Sequence, residues 1–374
     1  MGINRRDFLK FATIASVIQP ALLLANSSNS SIAGNISNVL SCYDNPQGEH
    51  FFALYNWQKG KLKSFSLEER GHGICLSPNK QSCAAFARRP GTHIWIIDTE
   101  EPYIRHKINS PSHRHFYGHG VYELSGRYLF ASENNVENGD GYIAVFDCHN
   151  NYQRINEFKS YGIGPHEIQF LSDGKTLVVA NGGIQTHPDL GRSKLNIPTM
   201  QPNLAYIDTT TGKLIDKYMP PEKWHKLSIR HIAVSPQDTV SIAMQYQGAK
   251  NHRPALLAMH SGQSQLQLIK APEKIQKKMK NYCGSICYDQ SGEYFAMSSP
   301  RGDLVTLWDK NGQYLHHLDA KDGCGLAPGN SKGEILLSTG RGELIQHFAS
   351  KNKTFIHENQ SINTRWDNHM SISG

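Results

Sequence analysis

The sequence predicts an all-β fold, a seven-bladed β-propeller of four-stranded blades closed by its C-terminal strand. Three observations predict it. A histidine-headed apolar run recurs along the chain. Each run is followed by two more apolar runs and a polar one. The first unit lacks an inner strand, and the C-terminus ends in a strand with nothing after it.

The recurring heads are Gly71-His72-Gly73-Ile74-Cys75-Leu76, Gly118-His119-Gly120-Val121-Tyr122, Pro165-His166-Glu167-Ile168-Gln169-Phe170 and Arg230-His231-Ile232-Ala233-Val234, with their histidines 47, 47 and 65 residues apart. Runs of five to seven residues with period-two alternation predict strands, not helical repeats. A second apolar run follows each head, as in residues 128–132 or 176–180. A third closes on Asp, as at Asp98, Asp147, Asp208 and Asp309, and Asp367 is read in the same way as a turn residue. The long spacing marks an insertion over residues 182–202. Two further units carry Ser285 and Gly325 in the histidine slot.

The chain ends solve the closure. His369-Met370-Ser371-Ile372-Ser373 reads as a first strand without a blade, and residues 36–43, 51–55 and 62–67 read as second, third and fourth strands without a first. Together they complete a seventh blade and leave no sheet edge open at the seam. Domain organisation follows as a leader over residues 1–33 and one propeller over residues 34–374.

The leader reads as an address. Arg5-Arg6-Asp7-Phe8-Leu9-Lys10 resembles the twin-arginine export motif, and an apolar stretch and small residues follow it. The expectation is export to the periplasm, with no stable membrane span once the leader is removed. Seven cysteines then meet an oxidising compartment, and their odd number leaves at least one unpaired in a monomer. The absence of CxxC and CxxCH removes thioredoxin-type chemistry and covalent c-type haem. A net charge of +7 with no Lys/Arg run interleaved with aromatics argues against nucleic acid as a partner.

The candidate site is one mouth of the central channel, expected to be a solvated rim. The slot histidines His72, His119, His166, His231 and His369 encircle it as candidate metal ligands. The loops joining second and third strands converge there and bring Arg88, Arg89, Glu133, Asn134, Asn181, Arg301 and Arg341, and His115 arrives from the loop before its blade. Neutral imidazoles suit iron, copper, zinc or nickel. A wide channel keeps all five from one ion, so a site would use two to four, with Glu133 or Cys324 as further ligands. Arginines beside imidazoles equally suit a carboxylate or phosphate. A third reading makes the histidines structural, bonding backbone between blades. No GxSxG, P-loop or HExxH motif is present. Glu133, Glu167 and His119 are acid–base candidates without a substrate, and whether the chain is an enzyme stays open.

The runs Arg114-His115-Phe116-Tyr117-Gly118-His119-Gly120-Val121, Gly162-Ile163-Gly164-Pro165-His166-Glu167, Leu227-Ser228-Ile229-Arg230-His231, Ser298-Ser299-Pro300-Arg301-Gly302 and Trp366-Asp367-Asn368-His369 resemble the family catalogued as domain of unknown function 1513. The resemblance spans essentially the whole chain after the leader. It implies twin-arginine export, a propeller fold, and a periplasmic role in iron or copper handling beside imelysin-type and other periplasmic or outer-membrane iron-uptake proteins. The alternatives it leaves are a non-catalytic scaffold or anion-binding propeller and, third, a periplasmic oxidoreductase.

Overall fold

The computed structural model describes residues 38–357 and 364–373; the leader expected over residues 1–33 and the first residues of the strand expected over 36–43 lie outside them. Among the described residues the strands form seven four-stranded antiparallel sheets arranged as propeller blades. Each blade carries its inner strand against the channel. The inner strands, in blade order, are Arg365–Ser373, Gly71–Leu76, Arg114–Tyr122, Pro165–Phe170, Leu227–Val234, Ser285–Tyr288 and Gly323–Pro328. The split blade is as read from the sequence. Asn38–Asp44 pairs with His50–Asn56 on one side and with the C-terminal Arg365–Ser373 on the other.

Small apolar residues let the blades converge. Ser82–Ala87 is buried along its whole length, and Trp95 and Trp308 fill the wider space further out. Turn aspartates behave as expected where they close third strands. Asp98 Oδ1 accepts from the backbone N–H of Glu100 and Glu101, and Asp208 and Asp309 cap their turns in the same way. Asp367 corrects that reading. It lies on an inner strand, is 1% exposed, and has no turn to close.

Six of the seven inner strands, all but Ser285–Tyr288, share a feature that alternation alone does not reveal. Their pairing with the second strand breaks at the slot position: between Gly71 and Ile74, Phe116 and Gly120, Pro165 and Ile168, Ile229 and His231, and Gly323 and Leu326. In the closing blade the break falls as the partners of Ser41 and Tyr43 jump from Met370 to Trp366. An extra residue in one strand re-aims its side chain, and here it turns each slot histidine into the channel. Glycines make room for the approach. A Cβ on Gly73 would stand 2.4 Å from the Gly118 carbonyl oxygen, and Gly118 itself has φ +93 against the ring of His72.

Candidate metal centre and the cavity over it

The bulges bring five imidazoles from blades one to five into one buried layer. Ring centroids are 4.4 Å apart for His119 and His166, 4.6 Å for His72 and His369, 4.7 Å for His166 and His231, and 4.6 Å for His119 and His369. Two triads, His72–His119–His166 and His119–His231–His369, each hold their ligand-capable nitrogens within 4.8 Å of one another. His119 belongs to both. The solvated rim expected from the sequence is therefore corrected: none of the five is more than 8% exposed, because the bulges draw the rings inward to pack against one another. Each triad takes three of the five rings.

Burial is the largest influence on every ring and holds all five below the ordinary histidine pKa, so they are neutral at neutral pH. Two rings are oriented by carboxyl groups. His72 Nδ1 lies 2.5 Å from Asp367 Oδ1, and His231 Nδ1 lies 3.2 Å from Glu167 Oε2. A bond at Nδ1 leaves Nε2 with its lone pair free, the arrangement that presents histidine to a metal. Burial works against the charge on Asp367, but His72, Arg88 and Arg70 outweigh it and keep the carboxyl well below its usual range. Arg70 Nη2 stands 2.8 Å from its Oδ2. Glu167 has no such cations, and burial pushes its carboxyl up to about 8. The remaining three rings each keep one buried nitrogen without a hydrogen-bond partner: His119 Nε2, His166 Nδ1 and His369 Nε2. A buried donor or acceptor left so costs about 1–3 kcal/mol.

The imidazole layer separates two cavities. Residues preceding the histidines line one of about 280 Å³, with His72, His166 and His231 at its floor. Residues following them line another of about 380 Å³, which reaches His119, His369 and Glu167. Of the loop residues named from the sequence, Arg88, Arg89 and Arg301 line the first cavity. Arg341 lies apart from it, beside Asp322. His115 is buried, with Nδ1 3.2 Å from the Phe116 carbonyl oxygen, and burial lowers it to about 4. Asn134 is buried in the strand opposite His115. Asn181 ties its blade to the preceding one through the Ser160 carbonyl and bonds Asn203 within its own blade.

Glu133 and Cys324 are corrected as ligands. Glu133 is held by Arg154 at 2.7 and 2.8 Å, in the sheet and away from the imidazoles. The Cys324 thiol points at the carbonyl oxygens of Ser338, Trp366 and Asp367, and burial pushes it up to about 12. All seven cysteines are free.

Several site residues escaped the sequence reading. Asp367 was within reach, since a C-terminal inner strand leaves no third strand for it to close. Arg230 stands directly before His231, a neighbour that also signals it. Arg192 and Lys194 come from the insertion at residues 182–202, which folds over the cavity and had no role until its path was seen.

Fold and site together define a seven-bladed propeller with a histidine-filled channel and a cationic cavity at one mouth. The chain belongs to the family described as Protein of unknown function (DUF1513), whose profile matches residues 65–373. No curated protein matches the sequence. Among solved structures, hydrazine synthase of Kuenenia stuttgartiensis is similar in fold, at a TM-score of 0.59 and 11% identity, over 90% of this chain and 100% of that one. Among the described residues no helix is long and apolar enough to cross a membrane.

Proposed function

We propose that the protein binds a transition metal through the imidazole layer and serves metal handling in the periplasm. One observation carries the reading: three buried imidazole nitrogens without partners sit beside two imidazoles whose Nδ1 is hydrogen-bonded to a carboxyl group, Asp367 and Glu167. A purely structural set of histidines would have its ring nitrogens bonded to neighbouring backbone. Metal ligation by either triad gives partners to two of these nitrogens, His119 with His166 or His119 with His369, and needs the neutral rings that burial provides. Two nitrogens held ~2.1 Å from one ion lie at most ~4.2 Å apart, so spacings within 4.8 Å close by small side-chain rotations. All-imidazole ligation without thiolate suits iron or copper as well as zinc or nickel. The choice of iron or copper, export by the twin-arginine route and partnership with iron-uptake proteins rest on Arg5-Arg6 and on the family resemblance.

Elemental analysis of protein purified from the periplasm tests the reading. Stoichiometric metal is expected in the wild type and none in the His119→Ala/His166→Ala double variant, which removes a member from each triad. A wild type that stays metal-free after incubation with Fe(II), Cu(II) and Zn(II) would overturn it.

A further inference from the structure

The cavity over the imidazoles has a charge that metal binding does not use. Arg88, Arg89, Arg192, Lys194, Arg230 and Arg301 all line it, and among the described residues no Asp or Glu does. The carboxylate of Asp367, next in the chain to the lining residue Asn368, is already engaged by His72, Arg70 and Arg88. The cations press on one another. Arg192 is lowered first by Arg88 and then by burial and Arg89, and Lys194 by burial and then by Arg230, Arg301 and Arg89. Like charges gathered in a partly closed space are costly unless an anion joins them.

The cations are also held in place. The Arg301 guanidinium lies 4.1 Å over the Tyr282 ring, and that of Arg89 lies 5.3 Å over Tyr117. The insertion that carries Arg192 and Lys194 is tied down by Asn196, whose side chain accepts from the Gln185 N–H at 2.7 Å and donates to the Gly183 carbonyl at 2.9 Å. Lys194 Nζ also donates to Gln247. One buried donor at this cavity lacks a partner, Arg230 Nε. Fixed cations with an unspent donor around a common space form a built site.

We infer that this cavity binds a small multivalent oxyanion, gripped by the guanidinium forks and seated on the imidazole floor. Planar guanidiniums match carboxylate and phosphate oxygens two at a time. A cavity of about 280 Å³ has the room of about nine waters, enough for a compact di- or trianion. Because His72, His166 and His231 form its floor, an oxygen of the anion reaches the metal of the centre. That last contact rests on the metal-binding reading; the anion site does not.

Isothermal titration of the metal-free protein with citrate, pyrophosphate, acetate and chloride tests the inference. Citrate or pyrophosphate is expected to bind at one site, at least tenfold more tightly than acetate or chloride, and the tighter of the two identifies carboxylate or phosphate as the class. Arg192→Gln/Lys194→Gln, on the surface insertion, should weaken that binding at least tenfold while leaving metal content unchanged. Arg230→Gln should do the same. His119→Ala/His369→Ala, at residues that do not line the cavity, should abolish metal while leaving citrate or pyrophosphate affinity within about threefold. The inference is overturned if no multivalent anion binds at millimolar concentration, if acetate binds as well as citrate, or if the insertion variant binds as the wild type does. A metal-free wild type that still binds the anion would leave this site standing and remove only the metal reading.

Discussion

Removing the carboxylate of Asp367 should destabilise the protein more than any other single change at the channel. Asp367 is 1% exposed and joins His72 at 2.5 Å, Arg70 at 2.8 Å and Arg88 at 3.4 Å. Asp367→Ala leaves a buried imidazole without its partner and two guanidiniums without their counter-charge, a loss of about 3–5 kcal/mol. With an unfolding entropy of about 2.1 cal/mol/K per residue, a propeller of this length loses on the order of 4–7 °C in Tm. The pH dependence has a definite sign. The carboxyl is held below its unfolded value, so its contribution is fully present above about pH 4, the ordinary aspartate value, and disappears as pH falls towards the folded value. Asp367→Asn keeps the shape and one hydrogen bond, and should recover part of the stability without that pH dependence. Urea denaturation followed by tryptophan fluorescence at pH 7 and at about pH 2.5, below the ordinary aspartate value, reads both. An Asp367→Ala protein within 1 kcal/mol of wild type at pH 7 would refute the picture of a buried hub.

Deleting residues 365–374 removes the inner strand of the closing blade and exposes two sheet edges; size-exclusion chromatography should show aggregation and calorimetry a lowered Tm, whereas an unchanged monomer would contradict the split blade. Glu133→Ala breaks a buried pair with Arg154 and should cost about 3–5 kcal/mol while leaving metal content intact; loss of metal without loss of stability would return Glu133 to the ligand set. Arg5→Lys/Arg6→Lys should hold the precursor in the cytoplasm on cell fractionation, and normal periplasmic accumulation would count against the twin-arginine route.

Most of the architecture was legible because propeller repetition is a local signal. Slot histidines, apolar alternation and aspartate-closed third strands recur with little change, and the orphan strands at the two ends fix the closure. The site was legible in part. The five slot histidines and Arg88, Arg89 and Arg301 converge as their loop and strand positions imply. Their burial was not, because a bulge inserts one residue into a period-two pattern and leaves no mark beyond the glycines that flank His72 and His119. Glu133 and Asn181 misled for a related reason. A polar residue at the end of a second strand can face the cavity or the neighbouring sheet, and the register that decides this is set by the partner strand. Arg192 and Lys194 lie on an insertion, whose course over the mouth depends on tertiary contacts such as those of Asn196.

The central claim is that imidazoles of the channel, and nothing else from the chain, hold a metal. X-ray absorption at the metal edge of protein loaded with one equivalent of Cu(II) or Fe(II) tests it most directly. The account predicts a shell of nitrogen and oxygen scatterers at about 2.0–2.1 Å with the outer-shell pattern of at least two imidazoles, and loss of that pattern in His119→Ala. A sulfur scatterer near ~2.3 Å, or a spectrum without imidazole scattering, would contradict it.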